Sequence, residues 1–158
     1  SQDSDGETVS ELPVPEAVNA DYLREQMKSF IGDQYQTPPM FSAKKINGIP
    51  LYKLARQGQE VKREPRFINI SSFELLDWNK PTAKFRLACS KGTYVRTVCH
   101  DLGKKIGCGA HMTALRRISS DKFNVADATT IEKLSQMNPS AIKKILIPVA
   151  SAVPSFAL

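Results

Sequence analysis

The 158-residue chain is basic and moderately apolar, with a formal net charge of +6 and 41% hydrophobic residues. This length fits one domain with a real hydrophobic core, and the excess of lysine and arginine favours an anionic partner, nucleic acid first. The most apolar stretch, residues 145–153, is short and contains Pro148, so no membrane span is expected. The first residues are polar and acidic, so no signal peptide is expected from them.

The three cysteines predict small buried side chains in a reducing cytoplasm. Cys89, Cys99 and Cys108 do not pair off and show no Cys-x-x-Cys spacing. Cys89 and Cys99 fall at apolar positions of their elements, which predicts burial. An alternative is an unrelated hydrolase or transferase that uses Cys99 with His100, but neighbouring helical residues point about 100° apart and would not form a nucleophile–base pair. Nothing at ligand spacing predicts a metal site.

The first predicted element is a helix over residues 19–31. Asn19 is a suitable N-cap, and the apolar residues that follow recur on one face. Gly32 is the expected stop, because glycine readily adopts the left-handed conformation that ends helices.

An irregular basic loop and a short helix are predicted next. Pro38-Pro39 disfavours both helix and central strand, while Lys44-Lys45 and Gly48 indicate a mobile loop. Long irregular loops inside compact domains are more often functional than not. The short helix runs from about Leu51 to Gln57 and ends at Gly58.

A β-hairpin is predicted in the middle of the chain. Residues 67–76 form one or two β-segments, and residues 79–81 form a turn. In the partner strand, apolar residues alternate with basic ones: Ala83, Phe85, Leu87 and Cys89 fall on one face, and Lys84 and Arg86 on the other. This period of two predicts a strand with one buried face.

The remaining elements alternate between helix and strand. Apolar residues at helical spacing predict a helix over residues 95–106, and residues 111–119 are predicted to be a strand. Thr129 to Glu132 matches a capping box for a helix that reaches about Met137, and a last helix from Asn138 is expected to end at Pro148. The order of elements predicts an α+β fold with a mixed, largely antiparallel sheet.

Residues 89–97 are the most informative stretch of the chain. A buried strand breaks at Gly92 into a helix, with Tyr94 and Arg96 at the break. Strand ends are rigid and helix N-termini attract anions, so such a break is a common place for reactive groups. On pattern alone this is a phosphate or carboxylate site of unknown chemistry.

The residues themselves resemble a known family in three segments. The segments Cys89–Thr97, Gly107–His111 and Leu115–Arg117 resemble the conserved core of the TruB family of tRNA pseudouridine synthases. The sequence Cys-Ser-Lys-Gly-Thr-Tyr in the first segment resembles that of the bacterial members. Gln36–Gly58 resembles the insertion with which the family grips RNA, and Ser1–Gly6 resembles the end of its Thr-Asp-Thr-x-Asp-x-x-Gly strand.

The resemblance implies a fold, a reaction and a partner. The fold is that of the pseudouridine synthases, and the reaction isomerises uridine 55 in the T arm of tRNA to pseudouridine. The family uses an aspartate nucleophile and needs no metal or organic cofactor. The partner would be the T arm, and a cytoplasmic monomer is expected. The implied parts of this partial catalytic domain (residues 1–158) are an RNA-gripping insertion (36–63), an active-site core (83–123) and C-terminal helices (124–158).

Three residues match the family's catalytic pocket. Arg96 matches the arginine that pairs with the catalytic aspartate, and its place in the first helical turn requires an anion nearby because the helix dipole repels cations there. Tyr94 matches a tyrosine on the wall of the site, although a half-buried packing role is the structural alternative. Leu115 matches an apolar residue that contacts the extruded base, although by spacing alone it is a strand core residue.

Basic residues near the insertion and after the pocket are the candidates for RNA contact. They are Lys44, Lys45, Arg56, Lys62, Arg63, Arg116 and Arg117. Such side chains bind phosphate and set register without reading sequence. A solvated charged face is the alternative interpretation.

The family's catalytic aspartate lies in a Gly-x-Leu-Asp-Pro-x-Ala-x-Gly motif, which the 158 residues do not contain. The chain is therefore expected to be the carboxy-terminal part of such an enzyme and to be inactive alone. The absent motif keeps a second interpretation open, a non-catalytic RNA-binding module.

Overall fold

The computed structural model describes residues 2–4, 6 and 10–153, and the chain divides into two compact units, Ser1–Leu115 and Arg116–Leu158. In the described part, no helix is long and apolar enough to cross a membrane. The first unit contains, in chain order, α1 (Ala20–Lys28), β1 (Gly32–Gln36), β2 (Lys45–Ile46), β3 (Ile49–Pro50), α2 (Leu51–Arg56), β4 (Arg66–Asn79), β5 (Thr82–Cys89) and α3 (Val95–Ile106).

A three-stranded antiparallel sheet in the order β1-β4-β5 organises the first unit. The edge strand β1 pairs with the first half of β4, from Gly32 opposite Ile70 to Gln36 opposite Arg66. Strand β5 pairs with β4 from Cys89 opposite Ile70 to Thr82 opposite Asn79. The predicted hairpin and the α+β class with a largely antiparallel sheet are confirmed.

Two irregularities in β4 explain why its sequence does not alternate cleanly. The register shifts between Ile70 and Ser72 and again between Leu75 and Asp77. Each extra residue moves the side chains that follow to the other face of the strand. The buried positions therefore step from Ile70 to Phe73, and Trp78 rather than Asp77 is the next to be partly buried. The segment predicted as one or two strands is one strand.

The hydrophobic core lies between the sheet and the helices α1 and α3. Its buried members are Val18, Leu23, Met27, Ile70, Phe73, Leu75, Val98 and Leu102. The ring of Phe73 meets those of Phe30 and Phe85 edge-on, with centroids 6.1 and 4.9 Å apart. Burial of these side chains on one face of α3 fixes the helix that carries Arg96 against the sheet.

Helix α1 is shorter than its apolar pattern predicts. Asn19 is confirmed as the N-cap, since its Oδ1 accepts a hydrogen bond of 2.9 Å from the Tyr22 amide. The helix ends at Lys28 with Ser29 as C-cap, so the predicted end at residue 31 is wrong. Gly32, with φ of +110°, begins strand β1 instead of stopping the helix, because the chain turns here to pair with β4.

The region predicted as an irregular loop contains regular structure. Strand β1 was not predicted, and β2 and β3 form a two-stranded hairpin around Asn47-Gly48. Both turn residues have positive φ, 49° and 80°, which suits an Asn-Gly hairpin turn. The short helix α2 is confirmed, with Gly58 just after its end at φ of +70°.

The second unit is built from short elements. They are β6 (Ser119–Ser120), β7 (Phe123–Asn124), a 3-10 turn (Val125–Asp127), α4 (Ile131–Ser135), α5 (Pro139–Ile145) and α6 (Val149–Ala152). None of its described residues is buried. Side chains cap two of its helices: Thr130 accepts from the Lys133 amide at the start of α4, and Asn138 accepts from the Ala141 amide at the start of α5.

Three predictions beyond α3 need correction. Residues 111–119 do not form one strand: among the described residues Met112 makes only an isolated bridge, residues 113–118 are in no strand, and Ser119 begins the two-residue strand β6. Helix α4 is capped by Thr130, one residue later than the capping box from Thr129 requires. Helix α5 ends at Ile145, and Pro148 caps a further short helix, α6, rather than ending the last one.

Candidate active site

The predicted break between strand and helix is present, and residues 89–97 are called the strand–helix junction below. Strand β5 ends at Cys89, the chain turns at Gly92 with φ of +87°, and Tyr94 is the N-cap residue of α3. The Thr93 hydroxyl donates a 2.9 Å hydrogen bond to the Ser90 carbonyl, which closes the turn. The sequence therefore sets this break by local turn chemistry.

The start of the junction is anchored to the central strand. The Ser90 amide donates to the Asn69 carbonyl at 2.8 Å, and the Asn69 amide donates to the Ser90 hydroxyl at 3.0 Å. The Asn69 side-chain amide in turn donates to the Asp33 carboxylate at 2.7 Å. Strands β1, β4 and the junction are thus linked by hydrogen bonds at one edge of the sheet.

Arg96 lies in the first turn of α3 with a carbonyl and a carboxylate beside it. Its Nη2 donates a 2.7 Å hydrogen bond to the Phe41 carbonyl, and its Nε lies 3.8 Å from Oδ2 of Asp3. The two side chains are only 24% and 21% exposed. An anion therefore lies near Arg96, as the unfavourable helix dipole requires. Its pairing with a catalytic aspartate stays a prediction.

The backbone of Tyr94 is held by the side chain of Gln36. The Tyr94 amide donates to Oε1 of Gln36 at 2.8 Å, and Nε2 of Gln36 donates to the Tyr94 carbonyl at 3.2 Å. Tyr94 itself supplies no side-chain cap to α3 within the described residues. Gln36, only 6% exposed, therefore fixes the N-cap residue of α3 from outside the helix.

The N-terminal segment of the described chain runs beside the junction. Asp3 makes a parallel bridge with Met112, and the Thr97 hydroxyl donates to Oε1 of Gln2 at 3.0 Å. The Ser4 amide donates to the Met112 carbonyl at 3.0 Å. This places the Asp3 carboxylate at the N-terminal end of α3.

The remaining candidates of this region are less constrained. Leu115 follows shortly after Met112 and is 61% exposed, so it is not the core residue that strand spacing predicts. Its role against an extruded base stays a prediction. Ser1 and Asp5, which the resemblance included, lie outside the described residues.

The basic candidates before β4 lie in residues 44–63, called the basic segment below. Lys44 is half-buried and Lys45 is exposed at the start of the β2–β3 hairpin. Neither makes an ion pair within residues 2–4, 6 and 10–153. The guanidinium of Arg56 lies 5.5 Å from the centre of the Tyr52 ring, a cation–π arrangement at the exposed end of α2.

The other basic candidates differ in accessibility. Lys62 is 91% exposed and 4.0 Å from Glu64, whereas the Arg63 side chain is only 17% exposed and pairs with Glu60 at 2.9 Å. Arg63 is therefore largely part of the protein's own packing. Arg116 and Arg117 are both exposed at the start of the second unit. Contact of all these residues with RNA stays a prediction.

The cysteines divide between the core and the surface. Cys99 is buried as predicted, but Cys89, the last residue of β5, is exposed, so its predicted burial is wrong. Burial raises the pKa of Cys99 to about 11. A nucleophilic cysteine needs the opposite shift, so the structure disfavours the Cys99–His100 alternative.

The remaining question is whether other acidic or metal-ligating side chains form a site. Burial raises the pKa of Asp101, although the charges of His100 and Lys104 act in the opposite direction. Among the described residues, no three His, Cys, Asp or Glu side chains come together as a metal site would require.

The sequence placed Gln36 and Phe41 in the RNA-gripping insertion and did not predict that either would contact the junction. Both lie in the segment before α2, and both contact the junction more than fifty residues later in the chain. The sequence offered one signal for a fixed segment: Gln36 stands two residues before Pro38-Pro39, whose rings restrict the backbone. Its hydrogen-bond partner is visible only once β1 is paired with β4.

Comparison with known proteins gives one family over nearly the whole chain. Residues 1–95 match the family described as TruB family pseudouridylate synthase (N terminal domain), and residues 96–154 match the tRNA pseudouridylate synthase B C-terminal domain. The tRNA pseudouridine synthase B of Opitutus terrae is 57% identical over 98% of this chain and 64% of its own length. That of Syntrophotalea carbinolica is 46% identical over 98% of this chain and 50% of its own length.

The chain thus spans between half and two thirds of the length of these two relatives. A solved structure, described as a crystal structure of a Cbf5-Nop10-Gar1 complex, is also similar to it. That likeness has a TM-score of 0.67 and 26% identity, and it covers 89% of this chain and 40% of the other. The architecture described above is therefore the α+β pseudouridine synthase fold, and the chain belongs to the TruB family of pseudouridylate synthases.

Proposed function

We propose that the protein containing this chain is a cytoplasmic tRNA pseudouridine synthase that isomerises uridine 55 of the T arm. Family membership supports the reaction class, and relatives named tRNA pseudouridine synthase B support tRNA as the substrate. The observation that carries the proposal is the half-buried Arg96 side chain, which donates a hydrogen bond to the Phe41 carbonyl and lies 3.8 Å from the Asp3 carboxylate.

The proposed reaction is an isomerisation with no change in oxidation state. The bond between N1 of uracil and C1′ of ribose breaks, and a bond between C5 and C1′ forms. A proton leaves C5 and another is taken up at N1, so no co-reactant is consumed. Such chemistry needs a nucleophile, a uracil held in position and the exclusion of water from the site. Protein side chains can meet all three needs.

Arg96 is the residue that would keep the nucleophilic carboxylate ionised and oriented. A guanidinium offers two parallel hydrogen bonds to a carboxylate and lowers its pKa. Arg96 already uses one arm on a backbone carbonyl, which fixes the plane of the fork. Tyr94 would form the wall of the site and Leu115 its apolar floor, since a base that reacts at its sugar bond must leave the stack.

RNA binding would rest on exposed cations rather than on the junction. Lys44, Lys45 and Lys62 are the accessible members of the basic segment, and Arg56 adds a charge beside an aromatic ring. Phosphate contacts of this kind position the substrate without reading its sequence. We infer that these residues hold the T arm while the junction acts on one uridine.

For the 158-residue chain by itself we infer RNA binding without catalysis. The observation behind this second candidate is the absence of a Gly-x-Leu-Asp-Pro-x-Ala-x-Gly motif from the sequence. The isolated chain is therefore the natural negative control for the full-length protein.

The test is to incubate the full-length protein with a T-arm RNA and locate pseudouridine by mass spectrometry. We expect conversion at uridine 55, none in an RNA that carries cytidine there, and none with the isolated chain. Conversion at another uridine would overturn the assigned specificity. RNA binding by the full-length protein without any pseudouridine would favour the non-catalytic candidate.

A further inference from the structure

The side chain of Gln36 makes two hydrogen bonds to one residue of the candidate active site. Its Oε1 accepts from the Tyr94 amide at 2.8 Å, and its Nε2 donates to the Tyr94 carbonyl at 3.2 Å. Neutral amides are the only side chains that offer a donor and an acceptor in this paired arrangement at every ordinary pH. Gln36 is 6% exposed, so water is a poor substitute for either bond.

Among the described residues, Gln36 is the side chain outside α3 that hydrogen-bonds the Tyr94 backbone. Tyr94 precedes α3, and its own side chain makes no cap hydrogen bond among the described residues. Its carbonyl also accepts from the Thr97 and Val98 amides, at 3.0 and 3.1 Å, so Gln36 adds a third donor to that oxygen. The orientation of the first turn of α3, and with it of Arg96, therefore depends on an external side chain.

The same short segment reaches the junction a second time. After Gln36 the chain passes through Pro38 and Pro39, both buried, to Phe41, whose carbonyl accepts from Arg96. Two buried prolines restrict the backbone between the contacts. Gln36 and the Phe41 carbonyl thus hold Tyr94 and Arg96 at a fixed spacing from strand β1.

We propose that Gln36 is a positioning residue for catalysis: it sets the orientation of Tyr94 and Arg96 without touching the substrate. This inference rests on the proposed function. It predicts that loss of the paired hydrogen bonds lowers the rate of the chemical step and leaves RNA affinity nearly unchanged, because the exposed cations that bind phosphate are elsewhere.

The variant that tests it is Gln36→Glu in the full-length protein. The substitution keeps the shape and the acceptor for the Tyr94 amide, but the ionised carboxylate has no donor for the Tyr94 carbonyl and repels it. We expect a single-turnover rate about tenfold lower, with tRNA affinity within about twofold of the parent. A protonated carboxyl regains the donor, so the deficit should shrink as the pH falls from about 8 to about 5.5, since burial raises a carboxyl pKa.

Gln34→Glu is the matched control. Gln34 lies on the same face of β1, is partly buried, and donates to the carbonyl of Phe30, away from the junction. The same chemical change there should leave the rate within about twofold at every pH. Gln36→Met, which fills the volume without either hydrogen bond, should be slow at all pH values, and it replaces the glutamate variant if that one does not fold.

The outcomes separate the two proposals. A full-length parent that forms no pseudouridine overturns the proposed function and this inference with it. An active parent whose Gln36→Glu variant keeps the parental rate, or loses rate only in proportion to tRNA affinity, overturns the inference alone. A slow variant with normal affinity and recovery at low pH, beside a normal Gln34→Glu, supports it.

Discussion

The strand–helix junction and the basic segment carry different kinds of candidate residue, and the structure treats them differently. At the junction, Arg96 is 24% exposed and the Tyr94 backbone is held on both sides by Gln36. In the basic segment, Lys62 is 91% exposed and Lys45 also lies in solvent. Hydrogen bonds to residues distant in the sequence constrain the first region, whereas the accessible lysines of the second present charge with little constraint.

This difference matches the demands of the two proposed tasks. Orientation of a nucleophile is sensitive to displacements of about 1 Å, so it needs groups fixed by packing and hydrogen bonds. Phosphate binding depends on the number of positive charges near the backbone and tolerates flexible side chains. The comparison therefore predicts that substitutions at the junction affect stability or chemistry, while those in the basic segment affect RNA affinity.

The largest expected effect concerns a glycine of α3. A Cβ on Gly103 would lie 2.1 Å from the Ala110 backbone nitrogen, because the chain after Gly107 folds back against the helix. Gly103→Ala in the full-length protein should lower the free energy of unfolding by about 3 kcal/mol, as measured by urea denaturation.

Gly58→Ala is the control from the basic segment. Gly58 has φ of +70° but open space around its Cβ position, so only the left-handed backbone opposes the change. A cost of about 1 kcal/mol is expected. If both substitutions lowered the free energy of unfolding equally, α3, the helix that bears Arg96, would be no more tightly packed around Gly103 than the basic segment is around Gly58.

Thiol reactivity should separate Cys89 from Cys99. Because burial raises the pKa of Cys99 to about 11, native alkylation at about pH 8 should be on the order of a hundredfold slower at Cys99 than at exposed Cys89. The two should react alike in denaturant. Comparable native rates would show that α3 opens readily at its buried face.

The same shift gives a pH dependence of stability. The Cys99 thiol ionises near 9.0 in its ordinary state and at about 11 in the folded protein. Between these values the folded state binds more protons than the unfolded state, so stability falls as the pH rises through this window. A Cys99→Ala variant should lose this part of the pH dependence in urea titrations.

The smallest effect is expected from the lysines of the basic segment. Replacing Lys44 and Lys45 together with alanine should flatten the slope of log affinity against log salt by about one to two units. Lys143 and Lys144, an adjacent exposed pair in α5, provide a control with the same loss of charge. The same change of slope in both variants would show that Lys44 and Lys45 belong to a solvated charged face with no specific role in RNA binding.

The elements that the sequence predicted are those set by local chemistry. Strict alternation in β5 and the glycine at the end of α3 are visible without the rest of the molecule. Strand β1 was missed because its sequence, Gly-Asp-Gln-Tyr-Gln, is polar and depends on pairing with β4. The strand predicted over residues 111–119 failed for the converse reason, since its apolar residues have no partner strand in the described part of the chain.

The candidate site follows the same division. Gly92 and the helical spacing after it located Tyr94 and Arg96 at a break. Their supports, Gln36, Phe41 and Asp3, come from distant parts of the sequence and are brought together only by the sheet and the core.

Arg96→Lys in the full-length protein distinguishes a role of Arg96 in the chemical step from a role in RNA binding. Lysine keeps the charge but loses the planar fork that holds a carboxylate through two hydrogen bonds. Arg86→Lys, at an exposed arginine 3.6 Å from Glu74, is the control for the same substitution outside the site.

Single-turnover rate and tRNA affinity should be measured separately on both variants. We expect a single-turnover rate lower by about tenfold or more for Arg96→Lys with tRNA affinity within about twofold of the parent, and parental values of both for Arg86→Lys. A rate for Arg96→Lys within about twofold of the parent, particularly with weaker tRNA binding, would show that Arg96 does not serve the chemical step.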